Sequence, residues 1–261
     1  MAVLQAYFDE SERPGGLFCV AGYVFSPPQA KKFIKDWSRL FAPYGAFHMK
    51  EFAHGRGAFS GVSQSERDAL LKNAVRIINQ TVTAGVAVSC RIAEMDALSP
   101  KWLRGFGHAY PVCCHWAMTS LIIVLDKVGV QNEVSYVFEK GHPHEAEARD
   151  VVKMAGALPE LKAMYRHYAD AFIPKSDAVP LQAADLLAWE WAKCKDETLD
   201  QDKRRLRGSL RALFEYDTRR YQIAHLGGQT LADAMARYAS FGYEQLREEA
   251  ALAEAAKGEH S

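Results

Sequence analysis

The first 25 residues contain two apolar runs separated by a turn. Residues 3–10 are rich in aliphatic and aromatic side chains, and residues 17–25 (LFCVAGYVF) are apolar almost throughout. A Pro-Gly-Gly sequence lies between the two runs and interrupts both. Because strands joined by a short turn pair antiparallel, this pattern predicts that the fold begins with a β-hairpin.

Apolar positions at helical spacing then alternate with short β-rich segments. A Ser-Pro-Pro sequence predicts a helix start at Ser26, and Ser65 is a possible N-cap of the next helix. The predicted helices cover residues 26–43, 63–81, 111–128, 144–157 and 179–195, and the predicted strands after the hairpin cover residues 86–92, 134–138 and 165–173. Residues 44–61 are expected to form a long ordered loop or a short helix between loops. This alternation predicts an α/β fold with a mixed sheet.

The C-terminal part of the chain is predicted to be helical. Residues 199–213 and 231–256 have helical patterns, and the last part is rich in Ala and Glu. The sequence has no internal repeat and no change of composition that marks a boundary. We therefore predict a single domain over residues 1–261, with a core at about residues 3–195 and a helical extension at about 199–258.

Composition predicts a globular cytoplasmic protein. The 32 basic and 32 acidic residues cancel, so any surface that binds nucleic acid must be local. No run approaches the roughly 18 apolar residues that cross a bilayer, and the N-terminus lacks the pattern of a signal peptide. The five scattered cysteines predict reduced thiols in the core. We therefore expect no membrane contact.

Three carboxylates interrupt runs that otherwise have the composition of a protein core. Asp9 follows AYF, Glu139 follows VSYVF, and Asp185 lies within AVPLQAADLLAWEWA. A buried carboxylate is costly unless a positive charge neutralises it, and a divalent cation commonly does so. The pattern therefore predicts that the three acids converge on one metal site. The alternative is that each acid caps a turn or a helix.

Spacing along the predicted elements refines this choice of ligands. Gln182 and Asp185 are three residues apart on one helix face, whereas Glu190 is rotated away and is expected to reach solvent. On the first strand, Asp9 and Glu10 point to opposite faces. We therefore favour Asp9 as the metal ligand. Glu10 is expected either to support the ligands without touching the metal or to face the helices.

Four segments together resemble a known family. They are YFDES at 7–11, FHMKEF at 47–52, VFEKG at 137–141 and PLQAADLLAWE at 180–190. They are similar to the family catalogued as domain of unknown function 3800, which is grouped with ribonuclease H-like folds, and the resemblance spans roughly residues 3–195. The Gln-x-x-Asp helix is its most specific part. The chain differs in having Glu12 where a glycine commonly follows DES, and in having Glu instead of Asp at 139.

The resemblance implies a ribonuclease H-like mixed β-sheet flanked by helices, with extra C-terminal helices. It also implies a nuclease or phosphodiesterase in which Asp9, Glu139 and Asp185 bind two Mg²⁺ or Mn²⁺ ions about 3.5–4 Å apart for in-line attack at phosphorus. The expected partner is nucleic acid, either RNA or DNA. His48 and Glu51 lie three residues apart and could face the same site. His48 would shuttle a proton or contact phosphate there, or else only hydrogen-bond its own loop.

Other features support competing interpretations. A non-catalytic ribonuclease H-like module that binds nucleic acid or a protein partner is the second candidate. Seven basic residues could hold a nucleic-acid backbone or simply form a solvated helix face: Lys203, Arg204, Arg205, Arg207, Arg211, Arg219 and Arg220. Lys140 and Lys175 follow predicted strands and could contact phosphate, but we expect both to be solvated. The scattered His and Cys residues have poor spacing for structural zinc.

Overall fold

The computed structural model describes residues 2–99, 106–199 and 207–240. It has an α/β architecture in which a mixed six-stranded sheet is flanked by helices, as the sequence predicts. The strands are β1 (Leu4–Glu12), β2 (Leu17–Phe25), β3 (Ala84–Arg91), β4 (Val134–Glu139), β5 (His167–Ile173) and β6 (Tyr221–Leu226). Their order across the sheet is β5-β4-β1-β2-β3-β6.

Ten α-helices lie in the described residues, together with 3-10 helices at Gly57–Phe59 and Thr218–Arg220. They are α1 (Pro27–Phe41), α2 (Met49–His54), α3 (Gln64–Thr81), α4 (Ile92–Leu98), α5 (Ala109–Lys127), α6 (Glu145–Ala157), α7 (Pro159–Met164), α8 (Val179–Leu199), α9 (Gly208–Tyr216) and α10 (Gly228–Ser240). The N-cap of α3 is Ser63 rather than Ser65, since the Ser63 hydroxyl accepts a hydrogen bond from the Glu66 amide. The Glu66 side chain bonds back to the Ser63 amide and completes a capping box.

Strand directions bring the ends of β1 and β4 to one edge of the sheet. β1 and β2 form the predicted antiparallel hairpin, with Asp9 opposite Ala21. β1 and β4 are parallel, and their pairing ends where Phe8 lies opposite Phe138. Because parallel neighbours end at the same edge, the residues that follow these two positions, Asp9 and Glu139, are close in space although distant in sequence.

Each face of the sheet carries its own apolar core. One core contains Phe8 and Phe138 and is covered by α5, α6 and α10. The other contains Tyr7 and is covered by α1, α3, α8 and α9. Since successive residues of a strand alternate between faces, Asp9 points to the same side as Tyr7, toward α8. All five cysteines are buried free thiols, in line with their predicted core positions.

The prediction of a helical C-terminal extension is wrong in part, because the extension contains a strand. β6 pairs in parallel with β3 and adds a sixth strand at the sheet edge. Its sequence, YQIAHL, has polar residues inside and only partial burial, so it lacks the continuous apolar run of the central strands. The predicted helices at 199–213 and 231–256 correspond to α9 and α10 in part, and residues 200–206 and 241–256 lie outside the described ranges.

Helix α5 corrects one expectation from composition. It is 19 residues long and apolar enough to span a membrane by length and composition alone. Most of it is buried against the sheet and α6. A core helix of a soluble protein passes the same test, so this helix does not by itself indicate a membrane location.

The hairpin generates a prediction about packing at Gly22. A Cβ atom at this position would lie 2.1 Å from the Tyr7 carbonyl oxygen and 2.7 Å from Phe8 Cδ1. The backbone oxygen cannot move without shifting β1, so Gly22→Ala should destabilise the fold by about 3 kcal/mol, at the upper end of overpacking costs. Urea unfolding measures this change.

Gly208→Ala is the matched control. A Cβ at Gly208 has no atom within 4 Å among the described residues, and the position lies at the start of α9. We expect it to be neutral or stabilising by up to about 1 kcal/mol, because Ala favours helix more than Gly does. Equal stability of the Gly22 and Gly208 variants would contradict the tight packing of β1 on β2.

Candidate metal centre

Three of the predicted carboxylates surround the ammonium group of Lys175. Its Nζ atom lies 2.7 Å from Asp9 Oδ2. It also lies 3.1 Å from Glu139 Oε2 and 3.1 Å from Asp185 Oδ2. The Asp9 side chain is 1% exposed and the Lys175 side chain 8%. The structure therefore brings Asp9, Glu139 and Asp185 together around a single buried cation.

Backbone topology explains this convergence. Asp9 and Glu139 extend from the ends of the parallel neighbours β1 and β4. Lys175 follows β5, the next parallel strand, by two residues. Asp185 lies in the first half of α8, which packs across β1 and β2 on the face of the sheet that carries Tyr7. Three strand ends and one helix thus supply the four side chains from a single edge.

Glu10 joins the cluster, contrary to the expectation from strand alternation. One oxygen from each of Asp9, Glu10 and Glu139 lies within 4.8 Å of the others, and among the described residues this is the group of possible ligands close enough to share an ion. Glu10 lies beyond the last pairing of β1 with β4, so no strand backbone separates its side chain from Glu139. Asp185 is outside this closer group and reaches it through Lys175.

The Gln-x-x-Asp segment of α8 fixes the position of the chain before α2. Gln182 Oε1 accepts hydrogen bonds from Trp37 Nε1 at 2.9 Å and from the Phe47 amide at 3.0 Å. Asp185 Oδ2 accepts one from the Met49 amide at 2.9 Å. Since the first amides of a helix have no partner within it, Asp185 satisfies one of them at α2. The two residues predicted to share a face therefore act together.

His48 and Glu51 occupy different places. His48 is the exposed N-cap residue of α2, and it directly precedes Met49, whose amide binds Asp185. The Glu51 carboxylate instead packs against Gly57, where an added Cβ would lie 2.3 Å from Glu51 Oε2. The structure thus does not bring Glu51 into the group of carboxylates close enough to share an ion, among the residues it describes.

Burial and mutual charge shift the pKa values in the cluster. Burial raises the pKa of Asp9 well above its usual range, and raises that of Glu10 to about 7 with help from the charge of Glu139. Burial would also raise the pKa of Glu139, but its hydrogen bond with Asp9 and the charge of Lys175 outweigh this and lower it. Burial opposes the charge of Lys175, yet the carboxylates, Asp185 first, raise its pKa above the usual value. Lys175 is therefore charged at neutral pH.

Lys175 was the main residue missed by sequence reasoning, which placed it in solvent. It is buried because three carboxylates compensate the desolvation of its charge. Its position directly after a parallel strand, next to strands that end in acids, was the available signal. Lys140, by contrast, is exposed as expected.

The expectation that Glu190 reaches solvent is wrong. Its side chain is 0% exposed; Arg207 Nε lies 2.9 Å from one oxygen, and the Ser209 hydroxyl donates to the other at 2.7 Å. The reason is that α8 is covered on one side by the sheet and on the other by α9 and its neighbours. Helical rotation alone could not reveal the second covering layer.

The basic segment is largely paired where it is described. Lys203, Arg204 and Arg205 lie outside the described residues. The others contact Glu190 (Arg207), Glu215 (Arg211), Asp217 (Arg219) and the Asn79 carbonyl (Arg220). Each of the four basic residues that the structure describes therefore has a partner within the fold.

Comparisons of this chain with protein-family models, with curated proteins and with solved structures found no match. The resemblance to the domain of unknown function 3800 family thus rests on the four quoted segments. We call Asp9, Glu10, Glu139 and Asp185 the acid cluster. Its geometry is independent of that resemblance.

The raised pKa of Glu10 predicts a pH dependence of stability. Between pH 4.5 and 7 the unfolded chain loses the Glu10 proton while the folded protein keeps it, so stability falls as pH rises through this range. Glu10→Gln removes this loss. The stability of the metal-free variant relative to the wild type should therefore be about 1–3 kcal/mol higher at pH 8 than at pH 5. Urea unfolding in EDTA at both pH values measures the difference.

Glu12→Gln is the control for this prediction, since Glu12 is an exposed carboxylate on the same strand. It should follow the wild-type pH dependence. If Glu10→Gln also follows the wild type, or loses stability at pH 8, the Glu10 carboxyl is not held protonated by its surroundings.

Proposed function

We propose that this protein is a Mg²⁺- or Mn²⁺-dependent nuclease or phosphodiesterase of the domain of unknown function 3800 family, with a ribonuclease H-like fold. The carrying observation is the convergence of Asp9, Glu10, Glu139 and Asp185 at one sheet edge. Four carboxylates with one compensating cation leave a surplus of negative charge that attracts divalent ions.

The order of elements supports the fold assignment. A hairpin-led mixed sheet comes first, α5 crosses the sheet between β3 and β4, β4 ends in an acid, and the late helix α8 carries another. This is the order that the resemblance implies. β6 and α10 are additions after that core.

The donor set fits hard divalent cations. All four candidate ligands offer carboxylate oxygen, which Mg²⁺ and Mn²⁺ prefer. Glu10 Oε2 is buried and has no hydrogen-bond partner among the described residues, so it has unused capacity as a ligand. Asp9, Glu139 and Asp185 would hold the ions, with Glu10 beside them. Bound ions would activate water and stabilise the leaving oxygen.

The protein's own residues would prepare this chemistry. Asp185 is held in place by the Met49 amide, which orients its carboxylate. Lys175 offsets part of the mutual repulsion of the carboxylates and keeps them together. His48, exposed at the start of α2 next to the amide that binds Asp185, would contact phosphate or donate a proton to the leaving oxygen.

Lys175 also favours the second candidate, a non-catalytic module that binds nucleic acid or a protein partner. Its ammonium group lies where the carboxylates would share an ion, and it forms ion pairs with three of them. In that case the network would be a structural element only. Metal-dependent cleavage distinguishes the two candidates.

The nuclease proposal predicts that Asp185→Asn abolishes most activity. The amide oxygen can still accept the Met49 hydrogen bond, but the negative charge is lost. Changing residues that merely orient ligands costs about 10–100-fold, so losing a ligand should cost at least about 100-fold. The measurement is Mn²⁺- and Mg²⁺-dependent cleavage of labelled single- and double-stranded RNA and DNA.

Asp177→Asn is the matched control, because Asp177 is an exposed carboxylate just before the same helix. It should cleave like the wild type. Full activity of a folded Asp185→Asn variant would exclude Asp185 as a ligand. A wild-type protein that cleaves none of these substrates would favour the non-catalytic module.

A further inference from the structure

Three cations surround the ring of Trp189, in what we name the Trp189 cation cluster. The side-chain charge lies 5.0 Å from the ring centre for both Lys193 and Arg207, and 5.9 Å for Arg13. Trp189 itself is 5% exposed. The three side chains come from the hairpin turn, from α8 and from the residue before α9, so the fold assembles the cluster from distant parts of the chain.

Among the described residues, four positive charges (Arg13, Arg91, Lys193 and Arg207) lie near three negative ones (Asp196, Glu190 and Glu197). Asp196 contacts Arg13 at 3.8 Å and is shared with Arg91, while Arg207 contacts Glu190. Lys193 has no carboxylate within ion-pairing distance among the residues described. Burial, followed by the charges of Arg207 and Arg13, lowers the pKa of Lys193. The local field is therefore positive.

Arg13 has hydrogen-bonding capacity left over. Its Nε atom is shielded from solvent and forms no hydrogen bond within the described parts of the chain. Guanidinium groups bind phosphate through planar, charge-assisted hydrogen bonds, and ammonium groups bind it as point charges. A phosphate oxygen would satisfy Arg13 and neutralise Lys193 together.

The cluster lies along two elements that start from the acid cluster. Arg13 follows Asp9 by four residues of extended chain, which is about 13 Å. Lys193 follows Asp185 by eight residues of helix, which is about 12 Å. Trp189 lies midway between Asp185 and Lys193, one helical turn from each, on the same broad face of α8. Both paths give a similar distance from the carboxylates.

We propose that the Trp189 cation cluster binds a backbone phosphate of the nucleic-acid strand whose cleavage takes place at the acid cluster. The proposal rests on the proposed nuclease function for the identity of the ligand. Since the two paths measure about 12–13 Å, the bound phosphate lies on the same strand as the cleaved bond but not next to it. The negative acid cluster and the positive cluster thus give the strand one cleavage point and one anchoring point.

Binding of oligonucleotides without cleavage tests this proposal. The full chain is titrated in EDTA with fluorescent single-stranded RNA and DNA of 3 and 12 nucleotides, and anisotropy gives the dissociation constants at several salt concentrations. The wild type should prefer the 12-mer. Arg13→Gln and Lys193→Gln should each weaken 12-mer binding about tenfold and reduce the salt slope by about 0.7.

Lys35→Gln removes the same charge from the exposed face of α1 and should bind like the wild type. Melting temperatures check that each variant is folded. The proposal is overturned if the wild type binds no oligonucleotide, or if the two variants bind as tightly as Lys35→Gln. It is also overturned if polyglutamate of equal charge displaces the 12-mer equally well, since the ligand is then an acidic polypeptide.

The outcomes separate the two proposals. Weaker binding by the Arg13 and Lys193 variants, together with no metal-dependent cleavage by the wild type, would support the phosphate site and contradict the nuclease function. Cleavage by the wild type with unchanged binding by both variants would give the opposite result.

Discussion

The compensation of buried charge around Lys175 is the interaction on which the site depends. Asp9 is almost completely buried, and Glu139 and Asp185 are mostly so. Carboxylates brought this close repel one another and lose hydration, and such groups remain ionised only beside a positive charge. Lys175 supplies one such charge from the end of β5. A single ammonium group cannot balance four carboxylates. Burial first, and then the remaining excess of negative charge, raises the pKa of Asp9 and Glu10.

Helix α8 connects this network to the rest of the molecule. Gln182, Asp185 and Glu190 are buried in it, and each has a partner from a different part of the chain. Gln182 binds the segment before α2 and the ring of Trp37, Asp185 binds Lys175 and α2, and Glu190 binds Arg207. A buried polar group must be paired, and these pairs fix how α8 lies against its neighbours. The same helix then continues past the acid cluster to the cations around Trp189.

Much of the fold could be predicted because its signals are local. The hairpin, the buried α5 and the ends of β1 and β4 follow from apolar runs and turn residues, and the acids that interrupt those runs indicated the site. The edge strand β6 was missed because edge strands need less apolar sequence. Lys175, Glu10 and Glu190 were misplaced because their environments depend on contacts between distant segments, and residue spacing describes only the element to which a residue belongs.

The central claim is that the acid cluster is a divalent-ion site. A crystal structure of the protein soaked in Mn²⁺, with anomalous scattering recorded at the manganese edge, tests it most directly. The account predicts anomalous density in contact with Asp9 and Glu139, and a Lys175 ammonium group displaced from the carboxylates by the ion. Anomalous density absent from this cluster at high Mn²⁺ concentration, with Lys175 still paired to Asp9, Glu139 and Asp185, would contradict it.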